Sequence, residues 1–247
     1  MRPDQAALAP GAVPLGTFPA LAVGWLATAL ASVALVGAAG VEPLHAVQSW
    51  GLFGLVTAWV ITGLRRHRPG RRFGLANAVT LARAVIACVF GALIGAGTSS
   101  ETAAWVMVLA ALAGLALDGV DGWAARRYGL ASRFGAKFDT EVDSLFALIL
   151  SILVWQQTGV GAWVLGIGLL RYGFVYSGRL WPWLAVPLPE SRRRKTVCVI
   201  VVAALAVCLA PVMTTLAVAM TAAATLGVLA WSFAVDIVWL RRRGSAY

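Results

Sequence analysis

The chain has 247 residues, a mean hydropathy of +0.84 and only 12% charged residues, which argues against both an ordinary soluble globule and a disordered chain. Its net charge of +10 comes from 20 Lys and Arg against 10 Asp and Glu. Because the basic residues cluster between long apolar runs, they indicate the flanks of membrane spans rather than a nucleic-acid-binding surface. Three cysteines without a CxxC pair, far from both histidines, argue against a zinc or dithiol site.

Eight apolar segments are long enough to be membrane-spanning helices, so we predict an all-α, polytopic membrane helical bundle. The predicted spans are residues 18–40, 45–64, 77–98, 103–125, 138–157, 160–179, 196–211 and 213–240. Every second connection lacks Lys and Arg, while all basic clusters fall on the other side. The positive-inside rule therefore predicts a multi-pass protein of the cytoplasmic membrane with both termini in the cytoplasm.

The first region, residues 1–64, contains two spans without an acidic residue and without evident chemistry. Packing or contact with a partner is the expected role of these spans. A basic juxtamembrane linker follows at 65–76, where the Pro69–Gly70 pair interrupts regular structure. Residues 77–247 then form a region of six spans.

The third span begins with a row of polar residues. Asn77, Thr80 and Arg83 are each three residues apart, which places them on one helix face. An ordinary helix start with a snorkelling arginine is the alternative to a functional row.

Half of the acidic residues fall within 26 positions. Asp118 and Asp121 lie near the end of the fourth span, and Asp139 and Asp143 lie at the start of the fifth. Spacings of three and four residues put both members of a pair on one helix face. Glu141 falls off that face and is left out of the predicted site.

A short connection makes spans four and five antiparallel neighbours, so the two acidic faces are predicted to meet at one depth. Helix-end salt bridges explain a single such Asp better than four in spaced pairs, because carboxylates near a membrane core need partners. Oxygen ligands suit Mg²⁺, Mn²⁺ or Ca²⁺ rather than zinc. Two adjacent divalent ions are a common arrangement for phosphoryl chemistry. Nearby, Gly122 and Gly135 leave room for close approach, and Arg126 suits a phosphate.

From Asp118 to Asp143 the sequence fills every fixed position of the pattern D-x2-D-G-x2-A-R-x8-G-x3-D-x3-D. In this it resembles the CDP-alcohol phosphotransferases (CDP-alcohol phosphatidyltransferases). The resemblance covers the signature and the six spans from residue 77 onwards. It implies a six-span catalytic core, to which this chain adds two N-terminal spans.

The resemblance implies an integral membrane enzyme of phospholipid synthesis. Such an enzyme transfers a phosphoalcohol from a CDP-alcohol, such as CDP-diacylglycerol, to a small polar alcohol and releases CMP. It implies that Asp118, Asp121, Asp139 and Asp143 hold two Mg²⁺ or Mn²⁺ ions, with Asp143 also the general base. It further implies a homodimer in membrane lipid. The implied nucleotide pocket consists of Gly122, Ala125, Arg126, Gly135, Asn77, Thr80 and Arg83.

Basic residues on the later spans of similar proteins hold a phosphate of the acceptor. The residues expected here are Arg133, Lys137, Arg171, Arg194 and Lys195. They favour a phosphorylated polyol such as glycerol 3-phosphate or inositol phosphate. Serine or choline remains open as the acceptor, and the positive-inside rule accounts for part of the 192–195 run.

Two other functions also fit some of the residues. An intramembrane Mg²⁺-dependent prenyltransferase also uses Asp pairs and a diphosphate, but its first motif differs from the one in this chain. A non-enzymatic divalent-cation carrier would hold the ion at the membrane midplane, with paired halves or broken helices. Neither feature is evident in the sequence.

Overall fold

A computed structural model describes residues 13–67, 73–96, 101–128, 132–189 and 191–244. Within these ranges, the side chains of residues 39, 67, 118, 120–128, 133, 243 and 244 are not described. The described chain is all-helical, with eight α-helices and no strand. They are α1 (Thr17–Ala39), α2 (Leu44–His67), α3 (Leu75–Phe90), α4 (Glu101–Tyr128), α5 (Arg133–Thr158), α6 (Leu165–Leu180), α7 (Arg192–Cys208) and α8 (Thr215–Gly244).

The predicted all-α, polytopic membrane architecture is confirmed, with one helix at each of the eight predicted segments. Among the described residues, four helices are long and apolar enough to cross a membrane by length and composition. These are the segments Thr17–Ala38, Leu44–Arg66, Leu75–Leu93 and Thr215–Arg242. The chain is therefore an integral membrane protein.

The chain divides into two compact units, which are residues 1–146 and residues 147–247. In the first unit, α1 and α3 begin side by side, because the Phe73 N–H donates to the Leu15 carbonyl at 3.1 Å. The two helices pack along each other in the same direction. They therefore enter the membrane from the same side, as alternating spans require.

Aromatic packing in the first unit joins α2 to the start of α5. The Trp59 ring lies 5.9 Å from the Phe134 ring and 5.7 Å from the Phe138 ring, centroid to centroid. Both phenylalanines are almost fully buried. Gly63 gives Phe134 its space, since a Cβ at this glycine would lie 2.8 Å from the ring. The first turns of α5 are thus fixed by the N-terminal helices.

The start of α5 lies five residues before the predicted start at 138, because Ser132 caps the helix. The Gly135 N–H donates to Ser132 Oγ at 2.9 Å, and the Ala136 N–H donates to the Ser132 carbonyl at 3.0 Å. A serine in this position satisfies an otherwise unpaired backbone donor of the first turn. Asp139 and Asp143 consequently lie inside the helix rather than at its end.

The second unit packs α6, α7 and α8 together. Phe174 of α6 lies 5.2 Å from Phe233 of α8, centroid to centroid. Gly168 allows α6 to approach the first part of this unit closely, since a Cβ there would lie 2.5 Å from the Leu148 Cα. A glycine is therefore required at this crossing.

Candidate active site

One packing contact between α4 and α5 lies about one helical turn from the acidic positions of both helices. A Cβ on Gly114 of α4 would lie 3.5 Å from the Phe146 ring of α5. Only four residues separate the end of α4 from the start of α5, so the helices run in opposite directions. Position 118 on α4 and Asp143 on α5 each lie about one turn from that contact, on the side of the loop that joins the two helices.

Asp139 and Asp143 converge on a single guanidinium. Arg83 of α3 donates from Nη1 to Asp139 Oδ1 at 2.6 Å and from Nη2 to Asp143 Oδ1. The Arg83 side chain is 3% exposed, against 33% for Asp139 and 15% for Asp143. The two carboxylates are therefore one turn apart on one face of α5, as their spacing predicts, and a buried cation lies beside them.

The other two residues of the α3 row donate hydrogen bonds to backbone carbonyls one turn earlier, and one of them lies close to the start of α5. Asn77 donates from Nδ2 to the Phe73 carbonyl, and Thr80 donates from Oγ1 to the Ala76 carbonyl at 3.1 Å. A Cβ on Gly135 would lie 2.8 Å from Asn77 Oδ1. The row Asn77, Thr80 and Arg83 is buried on one face of α3, and its first and last members contact or approach α5.

Gly135 is predicted to tolerate no side chain. In a Gly135→Ala variant the new Cβ would displace Asn77 or push the start of α5 away, and such overpacking costs about 1–3 kcal/mol. We expect a lower melting temperature in detergent, measured by the loss of folded protein on heating. Gly51→Ala in α2 is the matched control, because nothing lies within 4 Å of a Cβ there. Equal melting temperatures for the two variants would contradict this account.

Several predicted site residues lie in α4, whose backbone is helical through Tyr128. The side chains of Asp118, Asp121, Ala125 and Arg126 fall outside the described set, as does any contact of Gly122. Among the described side chains, no group of three or more His, Cys, Asp or Glu could hold a metal ion. The predicted four-carboxylate site thus stays a prediction for its α4 half.

The described half of the site has the chemistry that Mg²⁺ or Mn²⁺ requires. Both described ligand candidates are carboxylates, which are the hard oxygen donors that these ions prefer. Arg83 contacts Oδ1 of each, and every carboxylate has a second oxygen and further lone pairs. The residues present therefore fit a divalent cation.

The basic residues predicted to bind the acceptor are distributed over both units. In the first, Lys137 is exposed on α5, and the Arg133 side chain lies outside the described set. In the second, Arg171 is half-buried on α6 and Lys195 is exposed at the start of α7. Arg194 donates to Asp236 Oδ1 at 3.4 Å and to the Pro189 carbonyl. Their joint role in acceptor binding remains a prediction.

An ion-pair cluster that sequence reasoning missed joins α7 to α8. Asp236 of α8 accepts from Arg193 Nη2 at 2.5 Å and is only 6% exposed. Arg193 also donates to Ser232 Oγ at 2.5 Å, and its guanidinium lies 5.7 Å from the Trp231 ring centroid. Part of the basic run at 192–195 therefore stabilises helix packing. An acidic residue late in a membrane span was the only sequence signal for this cluster.

The chain is thus a polytopic helical membrane protein in which two partly exposed carboxylates of α5 bond to a buried arginine of α3. A model of the CDP-alcohol phosphatidyltransferase family matches residues 73–235, and the chain belongs to that family. No curated protein and no solved structure matches the chain. The match covers α3 to α7 and most of α8, and α1 and α2 precede it.

Proposed function

We propose that this chain is a phospholipid-synthesis transferase that moves the phosphoalcohol group of a CDP-alcohol to an alcohol acceptor and releases CMP. The donor class we favour is CDP-diacylglycerol. Membership of the family supports a membrane transferase. The observation that carries the proposal is the pair Asp139 and Asp143, held side by side by Arg83 within the family segment.

The proposed reaction needs a base, a pocket for the nucleotide and charge stabilisation. In our proposal Asp143 takes the proton of the acceptor hydroxyl, which is a weak nucleophile until it is deprotonated. The acceptor oxygen then bonds to the lipid-side phosphorus, while the bond from that phosphorus to the bridging oxygen of CMP breaks. CMP leaves with the electron pair of that bond, and no covalent enzyme intermediate is required.

The four signature aspartates, Asp118, Asp121, Asp139 and Asp143, would hold two Mg²⁺ or Mn²⁺ ions. Such ions supply Lewis-acid stabilisation of the charge on the pyrophosphate and its leaving group. Gly122, Ala125 and Arg126 of α4 would line the nucleotide pocket, with Gly135 and Asn77 near its edge.

The acceptor we propose is a phosphorylated polyol, such as glycerol 3-phosphate or inositol phosphate. Support comes from the basic residues Lys137, Arg171 and Lys195, because an arginine within a membrane segment is a functional-site hypothesis by default. We propose further that the site opens to the cytoplasm, since the parallel start of α1 and α3 agrees with the alternating topology that the basic clusters predict.

The test is a donor-dependent CMP-release assay on the purified full-length chain in nanodiscs. CDP-diacylglycerol and Mg²⁺ are supplied with glycerol 3-phosphate, inositol phosphate, inositol, serine or choline in parallel. We expect CMP release that depends on one phosphorylated acceptor and yields the matching lipid product. A reaction without acceptor measures hydrolysis and is subtracted.

Each outcome bears on a different part of the proposal. Release that depends on serine or choline would overturn the phosphorylated acceptor but keep the transferase. Absence of release with every acceptor, together with absence of CDP binding, would overturn the transferase itself.

A further inference from the structure

One guanidinium bonds to both described signature carboxylates. The nitrogens Nη1 and Nη2 of Arg83 each take one carboxylate, Asp139 and Asp143 respectively. Side chains four residues apart on a helix have Cβ atoms about 5–6 Å apart. A planar fork with two parallel donors can span such a pair, whereas the ammonium of a lysine is a single point charge.

Apolar packing on both helices leaves this bridge little freedom. Leu81 and Ala84 flank Arg83 on α3, and Phe138 and Val142 precede the two aspartates on α5. All four are buried in one hydrophobic cluster. Because the backbones on both sides of the bridge are fixed, Arg83 meets the carboxylates in a defined geometry.

The bridge and metal binding can use different atoms. Arg83 cannot bind a metal ion, and the two bonds described above end on Oδ1 of each aspartate. A hydrogen bond to one oxygen of a carboxylate fixes the plane of the group, and this plane determines where the other lone pairs point. Orientation of ligands by a bonded neighbour is how metal sites are usually tuned.

We propose that Arg83 is a positioning residue that orients the carboxylates of Asp139 and Asp143, rather than a ligand of the nucleotide. The proposal rests on the proposed function, because it concerns the same site. It differs from the role that the resemblance implies for Arg83, which is contact with CDP. The two roles separate in nucleotide binding without metal. Loss of a direct contact would weaken CDP binding in EDTA, whereas loss of carboxylate orientation would affect turnover and metal-dependent binding only.

The test compares Arg83→Lys and Arg83→Gln with the wild-type chain in nanodiscs. Lysine keeps the charge but not the fork, and glutamine keeps neither. We expect kcat to fall roughly 10²-fold in both, as when reacting groups are misplaced by about 1 Å. The affinity for CDP measured by calorimetry in EDTA should not change, because no metal ion then links the nucleotide to the carboxylates. Arg65→Lys, at an exposed arginine of α2, is the matched control and should keep wild-type kcat.

Three results would overturn the proposal while leaving the transferase intact. These are wild-type kcat in Arg83→Lys, an unchanged kcat with a raised donor KM, and weakened CDP binding in EDTA in a variant that melts normally. An inactive wild-type chain would instead count against the proposed function.

A measurement on the wild-type chain decides the matter if neither variant folds. In protein labelled with ¹⁵N-arginine, the Nη signals of Arg83 should be the best protected from a water-soluble relaxation agent among the described arginines, because Arg83 is 3% exposed whereas Arg193 and Arg194 are 22% and 30% exposed. We expect CDP alone to leave these signals unchanged. A shift caused by CDP would show contact with the nucleotide and overturn the positioning role.

Discussion

Replacing Asp143 by Asn should lower the kcat for acceptor-dependent CMP release by about 10²- to 10⁴-fold, the usual contribution of a positioned general base. An amide has nearly the shape of the carboxylate but cannot take the acceptor proton. The measurement is initial-rate CMP release with saturating donor, acceptor and Mg²⁺.

Glu141→Gln is the matched control for this variant. It makes the same chemical change two residues away on α5, where the side chain points off the Asp139–Asp143 face. We expect wild-type kcat within error. Equal losses in both variants would mean that the negative charge of the segment matters rather than a base at Asp143. A normal melting temperature is required of both before their rates are compared.

Removing divalent cations should abolish turnover, with a loss of roughly 10³-fold or more, because a bound metal contributes several kcal/mol of charge stabilisation to such reactions. The chain is treated with EDTA, desalted and assayed, and Mg²⁺ or Mn²⁺ is then added back. We expect either ion to restore activity and Zn²⁺ to fail, since the proposed ligands are all carboxylates.

The Asp139→Asn variant tests whether this residue is one of the metal ligands. Loss of one carboxylate should raise the Mg²⁺ concentration that gives half-maximal activity, whereas Glu141→Gln should leave it unchanged. Full activity after chelation, with no metal detected by elemental analysis, would refute the metal-dependent mechanism. An unchanged Mg²⁺ requirement in Asp139→Asn would remove this residue from the proposed ligands.

The helical architecture was largely predictable because the length of each apolar segment can be read directly from consecutive residues. All eight predicted segments contain a helix, but the helix ends differ from the predicted ends. The segments predicted at 160–179 and 196–211 contain helices of 16 and 17 residues. These are shorter than the roughly 20 residues that cross the hydrocarbon core. A hydropathy pattern does not show which part of an apolar run is α-helical. Ala162–Val164, inside the segment predicted at 160–179, forms a 3₁₀ turn before α6.

Spacing within one helix was informative about the site, and contacts between helices were not. The four-residue interval predicted that Asp139 and Asp143 share a face, and both contact one group. Their partner Arg83 lies 56 and 60 residues earlier. No local pattern reveals such a pairing. The interaction of Asp236 with Arg193 was hidden for the same reason, since 43 residues separate the two.

The stacking of Trp59 against Phe134 and Phe138 bears on how far the folded catalytic region depends on the helices before it. α2 lies before the segment that matches the family, yet its indole covers two rings in the first turns of the helix that carries Asp139. α2 is therefore part of the packing around the acidic helix. Removing α2 would uncover the Phe134 and Phe138 rings at the start of the helix that carries Asp139 and Asp143, so the segment before the family match supports the packing of the acidic helix.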